Sequence, residues 1–210
     1  MLEALTYQDM LEDIAENMQR KGLKSDTIGI LLTRPELDTG RHILDSLEYY
    51  HFRTGKVVNF YLPGYGAYWY NAYPDGRVVT KIDNVEWSFS NKMFVKFEDE
   101  LELHSNWKYS GETELLFLEY TKDQLLFKNV LLFKLDNMLR DKAILSVDTF
   151  FNDLYRICKE KQDINAISDA LGARQMKHIA LKGIVDWLPE KLSSMFKEER
   201  HFCVRNMEKK

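Results

Sequence analysis

The densest set of side chains able to do chemistry follows the first apolar run. Arg34-Pro35-Glu36-Leu37-Asp38-Thr39-Gly40-Arg41 carries two guanidiniums, a hydroxyl and a glycine just ahead of a helical pattern. Unpaired backbone N–H groups and the positive end of a helix dipole favour an anion at such a place. The loop therefore suggests phosphate or carboxylate binding, with Arg34 and Arg41 as clamps and Glu36, Asp38 and Thr39 beside them. The competing reading has Asp38 capping the helix while the arginines pair with Glu36 and Asp45. No Walker or dinucleotide glycine signature is present.

A second candidate follows the next apolar run, at Pro63-Gly64-Tyr65-Gly66. Two glycines allow close backbone approach and would present Tyr65 outward. With Trp69 and its neighbours Tyr68, Tyr70 and Tyr73, it could stack on a base or sugar ring. The same rings could instead cement a hairpin to the sheet or form a patch for a partner protein or a second copy. The window Tyr49–Tyr73 holds 10 of the 27 aromatic residues, so at least one of these roles is needed to explain the excess.

Glu112 and Glu114, in Ser110-Gly111-Glu112-Thr113-Glu114, are the acid–base candidates. The segment resembles the Gly-Thr-then-Glu pattern of nucleoside deoxyribosyltransferases and related N-glycosidases. That resemblance implies a catalytic glutamate on a helix. This sequence departs from the pattern in spacing, and the residues that follow read as a strand. The runs 39–50, 110–120 and 138–151 also resemble Rossmannoid accessory domains found among bacterial defence genes, a resemblance that carries neither residue roles nor an activity. Asp136, Arg140 and Asp141 read as solvated loop charges. The five histidines are dispersed and Cys158 and Cys203 stand apart, so no metal-ligand spacing appears. No cofactor is indicated. Cys158 falls on an apolar helical face and reads as a buried thiol, and a reduced, cytoplasmic setting fits.

These candidates need elements to hold them. Met10, Leu11, Ile14 and Met18 make one helical stripe between a Thr6–Asp9 capping box and Gly22. Thr27–Thr33 and Val57–Leu62 read as buried strands, joined by a helix that Asp38 or Thr39 caps and that runs through Arg53. That is the length of a parallel, right-handed βαβ unit. Pro74-Asp75-Gly76 predicts a hairpin turn between Ala67–Tyr73 and Arg77–Ile82. Val85–Phe89 predicts a strand, Ser90 the cap of a helix to about Trp107, and Glu114–Tyr120 and Val130–Leu135 two more strands. Helices are predicted from about Ser146 to Glu160 and from Asp163 onward.

The pattern predicts an α/β fold: a Rossmann-like, mainly parallel sheet flanked by helices, with a β-hairpin insertion and a helical C-terminus. Residues 1–160 would form the core with its N-terminal helix, and 161–210 a helical segment packed on the same domain. In such a sheet ligands gather outside the carboxyl ends of parallel strands, where the Arg34 and Tyr65 loops fall.

Composition narrows the function. Gly 10, Pro 4 and Cys 2 in 210 residues exclude collagen-like and disulfide-rich classes. No run reaches the roughly 18 apolar residues of a membrane span, and Met1-Leu2-Glu3-Ala4 lacks a secretory leader. A net charge of −4 argues against a duplex-DNA binder, although residues 161–210 carry 10 basic and 7 acidic side chains. The reading that follows is a cytoplasmic binding module for a protein partner or a small anionic ligand. A nucleotide or sugar phosphate is a candidate ligand. The alternatives are an enzyme processing a nucleotide or nucleoside, of N-glycosidase or transferase type, and an assembly subunit that uses its aromatic hairpin and basic tail.

Overall fold

The first helix forms as its caps dictate. In the computed structural model Thr6 Oγ1 accepts from Asp9 N at 3.0 Å, and the Asp9 carboxylate accepts from Thr6 N at 3.2 Å. The helix α1 runs Tyr7–Lys21 and ends at Gly22, whose φ of 65° lets its N–H reach back to the last turn. Met10, Ile14 and Met18 are buried along its inner face. The structure describes residues 2–4, 6–54, 57–68, 73, 75–121, 124–160, 163–181 and 201–209, with side chains of the last helix as far as Ala173.

After α1 the chain runs β2 (Ser25–Leu32), α2 (Asp38–Asp45), α3 (Leu47–Thr54) and β3 (Asn59–Pro63). β2 and β3 pair in parallel, so the expected βαβ unit is present, its helix broken at Ser46. A three-residue strand β1 (Leu2–Ala4), without a signal in the sequence reading, adds to β3 in parallel. Then follow β4 (Tyr65–Ala67), β5 (Arg77–Ile82), β6 (Val85–Phe89), α4 (Asn91–His104), β7 (Glu114–Thr121) and β8 (Gln124–Lys134). The chain continues with α5 (Leu135–Arg140), α6 (Val147–Glu160), α7 (Ile164–Leu181) and β9 (Phe202–Arg205).

The main sheet has the order β1-β3-β2-β7-β8-β9. It is mixed, which corrects the Rossmann-like, mainly parallel expectation: β2–β7, β7–β8 and β8–β9 are all antiparallel. For β7–β8 the reason is chain length. β8 begins three residues after β7 ends, whereas a parallel return needs a crossover of a dozen residues or more. The C-terminus is not wholly helical, because β9 pairs with Val130–Phe133 at the sheet edge.

Neighbouring side chains on β3 show how both faces are covered. Phe60 meets Phe151 and Tyr155 of α6 at centroid distances of 5.8 and 5.7 Å. Tyr61 points to the other face, where its hydroxyl donates to Asp13 of α1 at 2.7 Å. On that side Tyr7 of α1 also packs edge-on against Phe97 of α4. Opposite Phe60, β2 carries Gly29, where a Cβ would lie 2.6 Å from the Phe60 ring.

A second, antiparallel sheet has the order β4-β6-β5. Its described hairpin joins β5 to β6, while the strand expected over Ala67–Tyr73 before Pro74-Asp75-Gly76 lies largely outside the described residues. Asp83 and Asn84 take the turn with φ of 48° and 62°, a conformation these two residue types tolerate best after glycine. Trp69, Tyr70 and Pro74 lie outside the described residues, as do Ile184, Trp187 and Leu188 of the C-terminal helical pattern. No described helix is long and apolar enough to cross a membrane.

Candidate functional site

Arg34 leaves the carboxyl end of β2 on a loop pinned from several sides. Thr33, fully buried, shares a hydrogen bond of 3.0 Å with the Thr113 hydroxyl, and its carbonyl accepts from the Tyr65 hydroxyl at 3.2 Å. The Arg34 carbonyl accepts from Leu37 N at 3.1 Å. It also crowds Gly40, where a Cβ would stand 2.1 Å from that oxygen, so only glycine fits there. Asp136 of α5 completes the clamp by accepting from the Thr39 hydroxyl and from Thr113 N.

Against this fixed backbone the Arg34 side chain lies across one face of α4. Asn91, Phe94 and Glu98, spaced three and four apart, share that face. The guanidinium carbon sits 4.7 Å from the Phe94 ring centre and 5.8 Å from that of Tyr109. Nη1 donates to Asn91 Oδ1 at 3.1 Å, and Nη2 stands 3.8 Å from Glu98, beyond hydrogen-bonding reach. The buried Nε has no hydrogen-bond partner among the described residues. Burial pushes the Glu98 carboxyl up while Arg34 draws it down, and the same opposition acts on the Tyr109 phenol.

The guanidinium opens onto a cleft of about 360 Å³ lined by Arg34, Glu36, Asp75, Arg77, Phe89 and Asn91. Ser90 caps α4 by accepting from Met93 N at 3.2 Å, and it donates to Asp75 at 2.8 Å. Asp75 also accepts from Lys92 N at 2.7 Å, and this backbone hydrogen bond is the main cause holding its carboxyl below the usual carboxylate range.

Of the residues expected from the sequence, Arg34 and Glu36 come together on this cleft; the others do not join them. Arg41 pairs with Asp38 on an exposed stretch of α2, and Glu36 pairs with Arg77. Neither Asp38 nor Thr39 caps α2, because the N-cap position falls to Leu37, which makes no side-chain cap bond. Thr39 is buried against Asp136. Tyr65 is fully buried rather than presented outward: β4 pairs with β6, and its ring packs 4.7 Å from Phe89. Trp69 is outside the described residues.

The two glutamates separate as well. Glu112 forms a surface pair with Arg140 at 2.7 Å. Glu114 opens β7, not a helix, and is buried with its carboxylate accepting from Trp107 Nε1 at 3.1 Å. Burial pushes its pKa up, against hydrogen bonds from Ser110 and Trp107. Asp136, read from the sequence as a solvated charge, is a partly buried tie. Cys158 is buried as expected, and burial pushes its thiol up to about 12. Among the described residues no three of His, Cys, Asp or Glu gather closely enough to hold a metal ion.

Sequence reasoning missed Asp75, Arg77, Asn91 and the Arg34 partners on α4. The one available signal was the spacing of Asn91, Phe94 and Glu98 on a helix whose cap was recognised. No protein-family model, curated protein or solved structure matches this chain.

Proposed function

We propose that this protein is a binding module that recognises a small anionic ligand at the Arg34 cleft without chemical turnover. The carrying observation is the state of Arg34: stacked on Phe94 and beside Tyr109, with a buried Nε that has no acceptor among the described residues, it lines the cleft with only 32% of its side chain exposed. A guanidinium fixed and partly desolvated in this way binds a carboxylate or phosphate with little ordering cost. Catalysis has weaker support, since Glu112 and Glu114 are engaged away from the cleft. A cytoplasmic setting goes with this reading, both cysteines being free.

The test is thermal unfolding against acetate, inorganic phosphate, nucleotides and sugar phosphates, because a ligand of the native state raises its Tm. At least one should raise Tm in the wild type and fail to do so in Arg34→Met. No shift from any of them at millimolar concentration would sink the reading.

A second reading, docking of a protein partner or a second copy, is favoured by Tyr68 and Phe52, which are 85% and 64% exposed. Large exposed rings are enriched at interfaces. Light scattering on the wild type and on Phe52→Ser with Tyr68→Ser would reveal self-association that the substitutions abolish.

A further inference from the structure

The cleft around Arg34 is matched in charge. Arg34 and Arg77 face Glu36 and Asp75, and the Asn91 amide supplies a neutral donor and acceptor. A phosphate dianion seated between the guanidiniums would share the same space with two carboxylates, and like charges that close disfavour each other. A molecule with one negative and one positive group would meet an opposite charge at each end.

We infer that the cleft recognises a small zwitterion of the α-amino-acid type, its carboxylate on Arg34, Arg77 and Asn91 and its ammonium on Glu36 and Asp75. This rests on the anion-site reading above and adds the cationic half of the ligand. Asp75 suits the role because Lys92 N and the Ser90 hydroxyl hold its carboxylate ionised and oriented. Each of its oxygens keeps a further lone pair for an ammonium proton. Among the described residues Glu36 is tied only to Arg77, in a half-exposed pair. Such pairs have little net worth, so a ligand can interleave between them. The cleft, about 360 Å³, falls within the range of small-molecule sites and has room for such a ligand.

The experiment is thermal unfolding of the full chain with each common L-amino acid, its N-acetyl and methyl-ester derivatives, acetate and inorganic phosphate. At least one free amino acid should raise Tm by about 2–4 °C at about five times its Kd. Its N-acetyl form, lacking the ammonium, and its ester, lacking the carboxylate, should each raise Tm far less. Glu36→Gln and Arg77→Gln, both at half-exposed positions, should each remove the response. If acetate or phosphate raises Tm and no amino acid does better, or the N-acetyl form matches its parent, the zwitterion is wrong and the anion site stands. If nothing in this panel shifts Tm, the zwitterion is wrong; if only the ester keeps the response, or nucleotides and sugar phosphates also fail to shift Tm, both readings fall.

Discussion

The Arg34 guanidinium carbon lies 4.7 Å above the ring of Phe94, joining the carboxyl end of β2 to the first turn of α4. Phe94 is fully buried, so the stack fixes the cation rather than decorating a surface. A cation over an aromatic ring contributes about 0.5–2 kcal/mol, more as it is desolvated. A double-mutant cycle with Arg34→Met and Phe94→Leu, followed by denaturant unfolding, should give a coupling energy in that range. Additive effects of the two substitutions would mean that the Phe94 ring does not hold Arg34, and the stacked-cation basis of the site would be lost.

Asp136 and Glu112 look alike in the sequence, both acidic and both near a predicted strand end. The structure sets them apart. Asp136 satisfies the buried Thr39 hydroxyl and the Thr113 backbone N–H, whereas Glu112 pairs with Arg140 at the surface. Removing an acceptor from buried donors costs about 1–3 kcal/mol each, while an exposed ion pair contributes about 0–1 kcal/mol. Asp136→Ala should therefore destabilise by at least about 2 kcal/mol, and Glu112→Gln by less than about 1. Equal midpoints in urea would refute the assignment of Asp136 as the tie between α2 and β7.

Features written in local sequence were legible. Thr6, Asp9 and Gly22 bound α1 because capping is settled within one turn. Thr27–Thr33 and Val57–Leu62 marked the parallel pair because both faces of these strands are buried. The antiparallel direction of β8 against β7 follows from their short link, which an apolar run does not display unless the gap is counted, whereas that of β7 against β2 and of β9 against β8 is set by tertiary pairing. The hairpin at Asp83-Asn84 was not legible in advance, because its turn chemistry is weaker than that of Pro74-Asp75-Gly76 and the pairing of β5 with β6 selects it. The loop that holds Arg34 could be read locally. Its partners Asn91, Phe94 and Glu98 could not, because tertiary packing alone brings α4 beside it. Tyr65 failed for the same reason: flanking glycines say that the backbone can turn, not which side of it meets the core.

The buried carboxyl of Glu114 gives the last prediction. Desolvation raises its pKa above the ordinary carboxylate value, with Ser110 and Trp107 opposing in part. A raised carboxyl binds its proton more tightly in the folded state than in the unfolded one. Stability therefore falls as pH rises from the ordinary glutamate value through the raised folded one, and levels off above it. Asp26 and Glu98 are raised and act in the same sense, while Asp75 is lowered and acts oppositely. The contribution of Glu114 must accordingly be isolated by difference. Glu114→Gln keeps an oxygen for Trp107 Nε1 and removes the titration. The stability of wild type minus that of the variant, from urea titrations across mildly acidic to neutral pH, should decline through that window and then stay flat. A difference that rises with pH would mean that Glu114 is stabilised as a carboxylate, and its site would then be an ion-pairing one rather than a desolvated pocket.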